Sequence, residues 1–109
     1  MYKLKISPKT KDNLAEIKEY ISQELSNPQA TVNLLSKITK KMRVLTEYPK
    51  MGAPLSSVVD ILTDYRFVVC ANYLIFYRCE DGSILVSRIL YGRRNYMQIL
   101  FGDLSDDFA

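Results

Sequence analysis

The chain contains no histidine. That absence removes Ser-His-Asp and Cys-His nucleophiles, histidine acid–base catalysis and histidine-ligated zinc. Cysteine is scarce too: Cys70 and Cys79 are too few for a four-cysteine zinc centre or a disulfide framework. No stretch reaches the ~18 consecutive apolar residues of a membrane span. The basic start, Met1 to Lys11, is followed by no apolar run. No secretion signal is therefore expected, and the cytoplasm is the expected compartment. The carboxylates Asp60, Asp64, Glu80 and Asp81 show no paired spacing for acid–base work or metal binding. No metal and no other cofactor is expected.

The 109 residues, 48% apolar and 25% charged, fit one globular domain spanning 1–109. The net charge of +3 is mild, but its distribution is uneven. All nine lysines lie between Lys3 and Lys50, whereas five of the six arginines lie between Arg66 and Arg94. Lysines scattered on helices are ordinary solvated charges. An arginine presents a planar fork that holds carboxylate or phosphate in a fixed geometry, so clustered arginines on strands ask for more explanation.

Tyr2 to Ile6 alternates apolar and polar, the period of a half-buried strand. Ser7-Pro8 reads as an N-cap followed by proline in the first helical position. Leu14, Ile17, Ile21 and Leu25 then fall on one helical stripe. Ser26-Asn27-Pro28 repeats the start signal, and a second stripe follows at Val32, Leu35, Ile38, Met42 and Leu45. So short a break predicts an antiparallel helical hairpin. Tyr48-Pro49 closes the second helix, because the residue before proline is pushed out of the helical region. Lys50 to Thr63 reads as a loop packed down on the domain. From there the period becomes two. Tyr65–Cys70, Tyr73–Cys79 and Ile84–Tyr91 have strand composition. Ala71-Asn72 and Asp81-Gly82 are the tight connections, the second a strong hairpin signal. Arg93 to Phe101 is expected as a short C-terminal helix. The expected fold class is α+β: an N-terminal strand and an antiparallel helical hairpin packed on a three- to four-stranded antiparallel sheet.

Two-residue turns would place Phe67, Val69, Leu74, Phe76 and Ile89 on one sheet face. Arg66, Tyr73, Tyr77, Val86 and Arg88 would share the other, while a slip of one residue would exchange the faces. Two Arg and two Tyr on one face read as an interaction surface, suited to phosphate and to base stacking. The competing reading is half-buried structural tyrosines and cross-strand ion pairs. Arg93-Arg94, just after Gly92, is the most exposed functional candidate. Cys70 and Cys79 fall at opposite ends of a hairpin, too far apart to bridge, and are expected as buried free thiols.

The order of elements resembles the RelE/ParE toxins of bacterial type II toxin–antitoxin systems. The opening Tyr2–Ile17, the helix exit Tyr48-Pro49-Lys50-Met51-Gly52, the strand Tyr73–Arg78 and the run Ser87–Tyr96 carry the likeness, which covers about residues 2–101. The resemblance implies a growth-inhibiting toxin, neutralised by a cognate acidic antitoxin, of the kind also met in plasmid stabilisation. Two targets are implied. In the RelE branch it is mRNA on the ribosome, cut by a metal-independent endoribonuclease. Arg66, Arg88, Arg93, Arg94 and Tyr96 would then be catalytic candidates. Leu74 and Val68 stand where that branch carries basic residues. In this they resemble the ParE branch, whose members poison DNA gyrase by binding. Arg66, Tyr73, Tyr77, Arg88, Arg93 and Arg94 would then contact the target. Met97, Leu100 and Phe101 would dock on the antitoxin. A non-toxic binding module is the remaining alternative.

Overall fold

The computed structural model describes residues 2–24, 27–57 and 63–92. The elements run β1 (Lys3–Ile6), α1 (Pro8–Glu24), α2 (Pro28–Glu47), β2 (Ala53–Pro54), a 3₁₀ turn (Leu55–Ser57), β3 (Arg66–Cys70), β4 (Tyr73–Glu80) and β5 (Ser83–Tyr91). They form one sheet in the order β1-β5-β4-β3-β2. The β3-β4-β5 meander is antiparallel, as expected from its turns. Asp81 and Gly82 both take positive φ, the conformation a two-residue hairpin turn demands. The sheet has five strands rather than three or four, because Ala53-Pro54 of the predicted loop pairs with Phe67 and Arg66. It is also mixed, since β1 runs parallel to β5. The predicted C-terminal helix lies outside the described residues.

Both helices begin where the proline signals place them. Ser7 Oγ accepts the Thr10 amide at 3.0 Å, and Asn27 Oδ1 accepts the Ala30 amide at 3.1 Å. Pro28 occupies the first turn of α2, and α2 ends at Glu47, before Tyr48-Pro49. The apolar stripes are as expected, except that Val32 faces solvent and Thr31 takes the buried position. The core joins Ile17 and Ile21 of α1, Ile38, Met42 and Leu45 of α2, and Val68, Cys70, Ile75, Tyr77, Ile84, Val86 and Ile89 of the sheet.

This core corrects the expected face assignment. Tyr73, Tyr77 and Val86 point toward the helices, and Phe67, Val69, Leu74 and Phe76 lie on the opposite, outer face. Aromatic residues with polar tips were taken as surface, but their rings are the larger part of them, and here the rings pack. Ile89 and Arg88 also exchange faces. The ladder pairs Phe76 with Arg88 and Tyr77 with Val86, so Ser87 has no opposite number and forms a β-bulge. Beyond it, Ile89 turns into the core and Arg88 joins Phe67 and Phe76 outside.

The bulge leaves backbone groups of β5 beyond the reach of β1, which ends at Ile6. Polar side chains of the α1 entry take them. Thr10 Oγ1 donates to the Val86 carbonyl at 2.8 Å, and Ser7 Oγ donates to the Ser87 carbonyl at 2.9 Å. Asn13 Oδ1 accepts the Ile89 amide at 3.1 Å. Thr10 and Asn13 are buried polar residues on an otherwise apolar helix face, and these bonds explain their presence. Cys70 is buried as expected. Cys79, near the distal hairpin, is exposed instead, and both are free thiols.

Candidate functional interface

The five residues after α2 are held by one strand residue from each side. Tyr77 is fully buried. Its hydroxyl donates to the Pro49 carbonyl at 2.7 Å and accepts the Gly52 amide at 2.9 Å. Burial raises its pKa, against the opposing pull of the Gly52 amide and the Arg66 charge. Arg66, opposite Tyr77 in the ladder, donates to the Gly52 carbonyl at 2.6 Å. Gly52 is required here for space. A Cβ would stand 2.6 Å from the Tyr77 hydroxyl and 2.7 Å from the Phe67 carbonyl. The run Tyr48–Gly52 is therefore a packed structural joint. Arg66 and Tyr77, two of the arginine and tyrosine candidates, are the parts that close it.

Tyr73 lies at the other end of the helix-facing side, edge-on to Tyr91 with ring centroids 5.7 Å apart. Desolvation, then the nearby Tyr20 and Tyr91 hydroxyls, raise its pKa. Arg88 is on the outer face, separated from Arg66 and the tyrosines by the thickness of the sheet. The structure thus divides the expected Arg-Tyr face into a helix-side group and one outer arginine. Arg93, Arg94, Tyr96, Met97, Leu100 and Phe101 lie outside the described residues.

Two outer-face cations were not singled out by sequence, Lys5 and Arg78. Lys5 pairs with Leu85, and Leu85 with Arg78, in one row across the sheet. Arg78 is already engaged. It bonds Asp64 at 3.0 Å, approaches Glu80 at 3.5 Å and sits 5.5 Å from the centroid of the Tyr65 ring. Arg88 differs. It is half-buried beside Phe76, and among the described residues it has no hydrogen-bond or ion-pair partner. A guanidinium held against an aromatic strand face with its donors uncommitted is suited to bind a carboxylate or phosphate from another molecule. Among the described residues there is no group of three metal-ligating side chains, and no helix is long and apolar enough to cross a membrane.

These features define a small α+β domain that buries a helical hairpin on one sheet face and offers a cationic-aromatic outer face. The family model for the ParE toxin of type II toxin–antitoxin systems, parDE, matches residues 4–96, and the chain belongs to that family. No curated protein matches the chain at a significant level. Among solved structures, the chain is similar to one described as the chromosomal ParDE toxin–antitoxin system from P. aeruginosa. The identity is 20%, the TM-score 0.70, and the match covers 84% of this chain and 96% of that one. At that identity the likeness speaks for the fold.

Proposed function

We propose that this chain is the toxin of a type II pair. It would be held inactive by a cognate acidic antitoxin and would act on DNA gyrase by binding rather than by catalysis. The observation that carries the reading is the ParE family match over residues 4–96. The site is consistent with it. Arg66 and Tyr77 are engaged in the joint at Gly52, and Arg66 and Arg88 occupy opposite faces, so they do not converge on one reacting atom. Contact with the target falls to Arg88 on the outer face, together with Arg93 and Arg94. The docking role for Met97, Leu100 and Phe101 on the antitoxin belongs to the same proposal.

The test is pulse labelling of DNA and protein synthesis in the first minutes after induction without antitoxin. DNA synthesis stopping first, with supercoiling by purified gyrase inhibited by the purified chain, is the expected result. Translation stopping first would transfer the function to ribosome-dependent mRNA cleavage. Arrest of neither would leave a non-toxic binding module. At residue level, Arg88→Met keeps the aliphatic stem and removes the charge. It should weaken gyrase inhibition about tenfold or more while leaving the thermal midpoint nearly unchanged, because no ion pair is broken.

A further inference from the structure

We propose that the open edge of β1, continued by the cleft at the end of α2, is a docking site for an extended acidic segment of a partner protein. The segment would add as a strand beside β1 and seat one large apolar side chain in the cleft. The partner class rests on the antitoxin reading above. The site itself is argued from the edge.

β1 is the terminal strand of the sheet, bonded on one side only, to β5. The Lys3 amide donates to the Gly82 carbonyl at 3.0 Å and the Ser7 amide to the Val86 carbonyl at 3.1 Å. In a parallel ladder this alternation commits Lys3, Lys5 and Ser7 to β5 and turns the backbone groups of Leu4 and Ile6 outward. Among the described residues, neither has a backbone partner on that side. Just before the strand, Tyr2 lines a cleft of about 550 Å³ with Glu47, Tyr48, Pro49, Lys50 and Met51. The Tyr2 amide is tied to the Thr46 carbonyl at 2.9 Å, which keeps edge and cleft continuous. Tyr2, Tyr48 and Met51 are 39%, 62% and 42% exposed, three of the large apolar side chains left in water.

Charge sets the partner's sign. Lys3 and Lys5 are exposed on the strand, Lys9 and Lys11 follow on α1, and Lys50 rims the cleft. Glu47 is the one acid in the lining. Lysines on an edge strand also blunt self-association, which by itself accounts for Lys3 and Lys5. It does not account for an apolar cleft continuing the same edge. Strand addition uses both parts, main-chain bonds for affinity and a pocket for one side chain.

The probe is a short synthetic peptide alternating glutamate with valine and carrying one phenylalanine, titrated into the full chain with amide hydrogen exchange as the readout. Exchange at Leu4 and Ile6 should slow about tenfold or more at saturation, and exchange at Lys5, already bonded, should not change. N-methylation of the peptide amides in one alternate phase should abolish binding, and in the other phase should not. The Tyr48→Ala, Met51→Ala double variant, altered only at exposed positions, should weaken binding about tenfold. Absence of added protection at Leu4 and Ile6 would overturn the proposal. So would equal binding of a peptide with lysine in place of glutamate. Neither readout involves gyrase, so failure here and failure of the gyrase assay are separate results.

Discussion

Replacing Tyr77 with Phe deletes one oxygen from the interior and leaves the ring in place. Two backbone groups lose their partner, the Gly52 amide and the Pro49 carbonyl. An orphaned buried polar group costs about 1–3 kcal/mol, so a loss of about 2–4 kcal/mol is expected for the pair. That is a large share of the roughly 5–15 kcal/mol that holds a small domain. With a urea slope of about 1–3 kcal/mol per molar, the midpoint should fall by about 1–2 M at unchanged slope. A second arm uses pH. Burial raises the Tyr77 pKa above its ordinary value of 10.0. A raised folded pKa means this stability is complete below the unfolded value and is lost as pH climbs through the folded one. The native chain should therefore weaken above about pH 10, and Tyr77→Phe should lose part of that slope. Tyr73, raised also, supplies the remainder. A destabilisation under about 0.5 kcal/mol, or an unaltered alkaline slope, would refute the clamp. Toxicity of this variant should fall only as far as its folded population falls, because Tyr77 presents no surface to a target.

Asn13→Leu should cost about 1–3 kcal/mol in urea unfolding, since it orphans the Ile89 amide beside the bulge. Gly52→Ala should destabilise strongly, and Tyr77→Phe in the same chain should not rescue it. The added Cβ would still meet the Phe67 carbonyl at 2.7 Å. Asp64→Asn breaks the bond to Arg78 but at an exposed position, so the loss should stay below about 1 kcal/mol and shrink further in high salt.

Much of the fold is legible in the sequence because its signals are local. Ser7-Pro8 and Asn27-Pro28 start helices through caps that involve neighbours only. Asp81-Gly82 sets a turn through its own φ values. The helix stripes fail only at Val32, one position from the buried Thr31. What is not legible depends on partners far along the chain. The bulge at Ser87 is compensated by Ser7, Thr10 and Asn13, about eighty residues earlier, and no pattern within β5 announces it. The pairing of Ala53-Pro54 with β3 is non-local in the same way. The exposure of Cys79 follows from its place near the end of a hairpin, where no helix reaches.

The same bulge decides what the candidate site can be. Uninterrupted alternation would have aligned Arg66, Tyr77 and Arg88 on one side, a constellation able to grip a phosphate from several directions. One extra residue in β5 moves Arg88 through the sheet and leaves the other two facing the Tyr48–Gly52 joint. There they bond three backbone groups of the chain's own loop and do not converge with Arg88 on a ligand. The residues that make the helix exit recognisable in sequence are thus conformational parts. The outer face retains Arg88, with Lys5 and the ion-paired Arg78 in the row beyond it. A face with one uncommitted guanidinium amid aromatic and aliphatic side chains is suited to recognition by contact. It offers no second group to move a proton, which is why a binding poison fits the described residues better than a nuclease.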